Sequence, residues 1–211
     1  MAMTSNPRLA AVEVLNFWFG YTRQELRAIT KPDKAQMSLW FGSREEDDAT
    51  IKMRFGAHVA ETSAKYDTID DMANRNAPME HILADIIALD QFTRSIHRKT
   101  ARAFENDDKA LRLANVALER ATEISILEKM FVELPLMHSE NIVDHERLLA
   151  LRGIAPPSDA NAALESKDWA VKHWAVIKKF NRYPHRNAAL GRRSTAEEEA
   201  YLAAGASSFG Q

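Results

Sequence analysis

Three short segments mix polar chemistry with apolar positions in a way that a plain helical protein does not need. They are Asp90-Gln91-Phe92-Thr93-Arg94-Ser95-Ile96-His97-Arg98, Leu134-Pro135-Leu136-Met137-His138-Ser139-Glu140, and Tyr183-Pro184-His185-Arg186-Asn187 with Gly191-Arg192 after it. Arginine forks suit carboxylate or phosphate, so Arg94, Arg186 and Arg192 are candidates to hold an anion. His138 and His185 are the candidates for proton transfer, with Glu140 beside them. Asp90, Glu140 and Glu146 would orient those groups, and Gln91, His97 and Asn187 add polar contacts. The expectation is one polar site assembled from distant parts of the chain, with His138, His185 and Glu140 in catalytic positions.

The elements that must carry these residues are helical. Asn6-Pro7 reads as an N-cap with a proline at the first helical position, and the helix runs to Phe19 before Gly20. Ser43 with Glu46 has the spacing of a capping box opening a long helix toward Tyr66. Pro78 opens a helix whose face Ile82, Leu83, Ile86, Ile87 has helical period. Continuing that stripe places Asp90 at the edge of the core with Arg94 one turn on, and a carboxylate there needs a partner. Asn106 caps the next helix, from Asp107 to about Thr122. Helices follow near Ile126–Glu133, Ser139–Arg152, Asp159–Phe180 and Thr195–Ala204. In the second of these, Ile142, Val143, Leu149 and Ala150 make the expected core face, with Glu146 between them. In the third, Trp169, His173, Ile177 and Phe180 form one stripe, and a histidine there is more often a satisfied core residue than a ligand. The aromatics Phe17, Trp18, Phe19, Trp40 and Phe41 read as core, and the tail Ala203–Gln211 is expected to fray.

Composition bounds the rest. The chain has 211 residues, 45% hydrophobic and 27% charged, enough for one globular domain over residues 1–211. No run of alternating β-branched residues suggests a sheet, and Gly153 with Pro156-Pro157 reads as a loop. The formal net charge of -2 gives no strong field for nucleic acid or an anionic membrane. There are no cysteines, which removes thiolate metal sites and cysteine nucleophiles. No HExxH, no paired Glu-x-x-His helices, no phosphate loop, no Rossmann fingerprint and no G-x-S-x-G elbow occur. No metal and no cofactor are expected. No stretch approaches a membrane span and no signal-peptide pattern opens the chain, so the expectation is a soluble cytoplasmic protein.

Several motifs in fixed order resemble the bacterial domain-of-unknown-function 924 family over nearly the full length. They are Val14–Gly20 (VLNFWFG), Trp40-Phe41-Gly42, Asp90-Gln91-Phe92, Ala103-Phe104, Leu134–Glu140 (LPLMHSE), Pro184–Asn187 (PHRN) and Leu190-Gly191-Arg192 with Ser194-Thr195. The chain departs from the family pattern D-Q-F-P-R-N at Thr93 and Ser95, and has Tyr183 where phenylalanine is usual. The resemblance implies an all-α fold similar to tetratricopeptide-like arrays of antiparallel helix hairpins, though no convincing 34-residue repeat is visible. It implies no activity.

The leading expectation is therefore an all-α protein that binds, with transformation as a further step, a small anionic or polar molecule in a cleft lined by Arg, His and carboxylates. The alternative is a tetratricopeptide-like scaffold for a protein or peptide partner, with the polar motifs serving as structural locks.

Overall fold

The computed structural model describes residues 7–68 and 75–205. The Asn6 cap and the end of the tail lie outside them. The described residues are helical, with no strand among them. They fall into two compact units: residues up to Arg98 with Arg102–Pro135, and Lys99–Ala101 with the chain from Leu136 onward.

The first unit is built around a helix that is buried on every side. Helix α1 (Pro7–Phe19), α2 (Arg23–Leu26), α3 (Lys34–Phe41) and α4 (Glu45–Lys65) precede it. The central helix begins as α5 (Met79–Ile86), widens into a π-helix over Ile87–Phe92 and ends as α6 (Thr93–Ile96). Every residue from Ile82 to Asp90 is buried, which an amphipathic surface helix would not tolerate. α1 and α7 (Asp107–Glu119) pack on α5, and α4 packs on the π-helix and α6. An aromatic cluster closes the core: Trp18, Phe19 and Trp40 each meet Phe131, and Phe92 stacks on Phe55 with centroids 4.9 Å apart. The Trp40 indole N–H donates to the Trp18 carbonyl at 2.8 Å. Phe41 is 54% exposed, so it does not join that core as expected.

Helix α8 (Ile126–His138) carries Pro135 inside it, and the division between the units falls there. The second unit continues with α9 (Ile142–Leu151), α10 (Ala160–Ala163), α11 (Trp169–Phe180), a 3-10 turn over Pro184–Arg186 and α12 (Ala196–Ala203). α9 and α10 pack on α11. Val176, Ile177 and Tyr183 form its core, with Ile142, Leu164, Phe180 and Tyr201 against them.

Local chemistry changes four expected elements. Ser43 takes a left-handed φ of 49° and does not cap α4; Arg44 stands at the N-cap and its guanidinium reaches Asp47 at 2.7 Å. The expected single helix Asp159–Phe180 is two, because Asp159 and Asp168 each cap a separate helix start. The face of α9 is rotated from the expected one: Val143 is 62% exposed and Ala150 is exposed, while His145 is fully buried. The ring of His145 can be buried because its Nε2 donates to the Ser139 carbonyl at 2.8 Å. Finally, Asn106 precedes α7 without capping it, since its side chain bonds to Ser63 and Thr93 instead.

Candidate functional site

The Asp90 segment lies in the first unit and is consumed by its own partners. Asp90 is fully buried and Arg94 is 5% exposed. Arg94 Nη1 donates to Asp90 Oδ1 and to the Asp90 carbonyl, both at 2.8 Å, and Nη2 pairs with Asp107 at 2.8 Å. Gln91 Nε2 donates to the other Asp90 oxygen at 2.6 Å. The π turn fixes the backbone here: Thr93 N–H bonds back to the Ala88 carbonyl, and the Thr93 hydroxyl reaches the same oxygen at 3.2 Å. π turns inside helices often sit at functional places. Here the turn delivers one guanidinium between two carboxylates in a buried setting.

The other two segments meet inside the second unit. Glu140 accepts Arg192 Nη1 at 2.6 Å and Nη2 at 2.9 Å, a two-pronged ion pair. The same carboxylate accepts Tyr183 N–H at 2.7 Å, and Arg192 Nη2 returns a bond to the Tyr183 carbonyl at 3.1 Å. Burial acts to raise the Glu140 carboxyl, but the bonds from Arg192 and from Tyr183 N–H outweigh it and hold it below the usual range. Gly191, at φ 64°, makes the left-handed turn that points Arg192 back toward Glu140. Asn187, 1% exposed, accepts Arg192 Nε at 3.0 Å and donates to Ser194.

Arg186 is not a solvated loop residue. It is 5% exposed, its guanidinium lies 4.5 Å from the Tyr183 ring centre, and Nη2 donates to the His138 carbonyl at 3.0 Å. Tyr183 itself is buried and donates its hydroxyl to the Met137 carbonyl. Three imidazoles surround that ring: His185 at 5.3 Å, His173 at 5.8 Å and His145 at 6.2 Å between centroids. Burial, followed by the Arg186 charge, pushes His185 down to about 3. Burial also lowers His145 to about 4 and His173 well below its ordinary value. These rings are neutral near pH 7. Carbonyl oxygens only accept, so His145 carries its proton on Nε2 and His173 on Nδ1, toward Trp169 O at 2.7 Å.

A third lock closes the same unit. Arg182 forks onto Glu198 at 2.6 and 2.7 Å, and the Thr195 N–H adds a bond to that carboxylate at 2.8 Å. The hydrogen bond from Arg182 leads in holding Glu198 down, at about 2. A capping box between Thr195 and Glu198 thus occupies the start of α12. Glu146 does not join the group around Tyr183; its side chain is 43% exposed and stands 3.9 Å from Lys178.

His97 lies elsewhere, on a cleft of about 530 Å³ within the first unit. Helix α4 forms one wall through Lys52, Gly56, Ala60 and Ser63, and residues 96–106 form the other through His97, Arg102, Glu105 and Asn106. Burial and the nearby Arg102 lower His97, Glu105 opposes them, and Lys52 lowers it further. Sequence reasoning found His97 but missed Lys52 and Arg102. The available signal was the recurrence of Gly56, Ala60 and Ala64 every fourth residue after Lys52 on α4, which leaves the face beyond that lysine without large side chains. No group of three or more His, Asp or Glu residues with metal-binding geometry occurs among the described residues.

The model of a family described as "Bacterial protein of unknown function (DUF924)" matches residues 14–206. The chain belongs to that family. A solved structure of a protein of unknown function, ATU0120 from Agrobacterium tumefaciens, is 28% identical, covers 93% of this chain and 98% of its own, and superposes with a TM-score of 0.68. None of the curated proteins matches. No helix among the described residues is long and apolar enough to cross a membrane.

Proposed function

We propose that this DUF924 protein binds a small anionic or polar molecule, and that the binding place is the cleft beside His97 in the first unit. The single supporting observation is the cleft itself. Its volume of about 530 Å³ falls in the ~300–1,000 Å³ range of small-molecule sites, and it brings Lys52, His97 and Arg102 together over a floor of small side chains. Among the described residues no carboxylate pairs with Lys52. Asp90–Arg94, Glu140–Arg192 and Arg182–Glu198 act as locks in this reading, since each pair is buried or half-buried, whereas Arg102 with its partner Glu105 is exposed.

The locks also favour a second reading, a tetratricopeptide-like scaffold whose partner is a peptide. Thermal melting with sulfate, phosphate and small carboxylates separates the two. Stabilisation in the parent that disappears in the double variant Lys52→Ala/Arg102→Ala supports small-molecule binding; a ligand at a hundred times its Kd adds ~2.7 kcal/mol. Melting indifferent to all of these anions favours the scaffold.

A further inference from the structure

We infer that the cleft takes an amphipathic carboxylate, with its charged head at the Lys52–His97–Arg102 end and its apolar body along α4. This rests on the small-molecule reading above and names the ligand class. Three observations carry it. First, charge is unevenly placed: Lys52, His97 and Arg102 gather at one end of the cleft, and the carboxylate there, Glu105, forks onto Arg102 at 3.2 and 3.3 Å. At the other end Asp67 is taken by Lys109 at 2.7 Å, and Ser63 and Asn106 bond to each other. An incoming anion therefore meets Lys52 as the cation no described carboxylate holds, with His97 and Arg102 lining the cleft beside it.

Second, the floor between these ends is made of small residues with no polar side chain: Gly56, Ala57, Ala60 and Ala64, with Val59 buried beneath. Gly56 to Ala64 spans eight residues, roughly 12 Å of helix. A compact inorganic anion would leave that length unused, whereas an aliphatic chain covers it and gains from each methylene removed from water. Third, the space is open over Gly56. A Cβ placed on Gly56 meets no atom within 4 Å, so the cleft is not filled by neighbouring side chains at that point.

Titration calorimetry with acetate, hexanoate and decanoate, kept below micellar concentration, tests this on the full chain, with inorganic phosphate as the comparison anion. The expected result is tightening by about two- to four-fold per added methylene. Gly56→Leu should abolish decanoate binding, because the new side chain projects into open cleft space; it raises helix propensity and leaves folding intact. Lys52→Ala should weaken decanoate about ten-fold and leave the dependence on chain length. If phosphate and all three carboxylates bind alike, the amphipathic inference falls and the small-molecule reading stands. If none binds, both fall. Length dependence that survives Gly56→Leu places the chain elsewhere and overturns the inference.

Discussion

Glu140 and Arg192 hold the two faces of one peptide position between them: the carboxylate takes the Tyr183 N–H while the guanidinium takes the Tyr183 carbonyl. Residues 52 apart in sequence thus clip the backbone at the ring around which His145, His173 and His185 gather. Both partners keep about a quarter of their side-chain surface exposed. Loss of Arg192 strands a carboxylate and a carbonyl, but solvent reaches part of the damage. Arg192→Ala is expected to cost ~2–3 kcal/mol, below the ~3–5 of a fully buried pair. Urea denaturation reads this directly, and an unchanged midpoint would mean the clip is ornamental.

Asp90 should be more costly. It is fully buried and holds Arg94, whose second carboxylate is Asp107. Asp90→Ala leaves a buried guanidinium with half its partners and should lose ~3–5 kcal/mol. Asp90→Asn keeps the shape and one acceptor and should lose less. Equal losses in the two variants, measured by thermal melting, would show that charge alone and not the retained shape and acceptor matters there.

Acid should loosen the second unit through its histidines. His145 is held neutral by burial, at about 4 in the fold against an ordinary 6.5. The unfolded chain therefore binds the proton first, and stability is intact above pH 6.5 and falls as pH drops toward 4. For His145 alone the loss is on the order of 3 kcal/mol. His185, lowered further, adds to the fall over the same window and below it. Stability measured from pH 7 to pH 4 should show this slope, and His145→Gln should flatten it. A parent with no slope in that range would contradict the burial of these rings.

Thr93→Pro, which restores the residue usual in the family pattern, is a mild change at an unexpected place. Inside an α-helix proline costs ~3 kcal/mol or more, through a lost bond and a clash with the preceding turn. Thr93 has φ -56°, already suited to proline, and its N–H bonds five residues back across the wider π turn. The expected cost is the lost N–H bond and the hydroxyl bonds to Ala88 and Asn106, about 1–2 kcal/mol. A loss above ~3 kcal/mol by chemical denaturation would mean the wide turn does not spare the clash.

Residue spacing made the helical class and the Asp90–Arg94 pair legible, because an apolar stripe that runs into a carboxylate demands a nearby cation. The partners of Arg192, Arg182 and Arg186 were not legible. They depend on where Gly191 and Pro184 turn the chain, and a cluster of basic residues reads the same whether it faces water or a carboxylate. The rotation of α9 escaped for a related reason. Hydrophobicity ranks Val143 above His145, but one hydrogen bond to Ser139 made the imidazole the better residue to bury. The cleft was hidden by smallness: glycine and alanine announce neither core nor surface, and only the opposite wall shows that they leave room.

The π turn also sets the phase of everything after it on the central helix. An α-helix advances each residue by about 100°, so tightening Ile87–Phe92 to the α pitch with all six residues kept would swing every later side chain by about that angle. Arg94 would leave Asp90 and Asp107, and His97 would leave the cleft wall, in a single step. Tightening of that turn disconnects a buried ion pair and a ligand wall together, whereas any substitution at Asp90, Arg94 or His97 touches only one of them. The extra residue works as a gear tooth between the interior of the first unit and its open face.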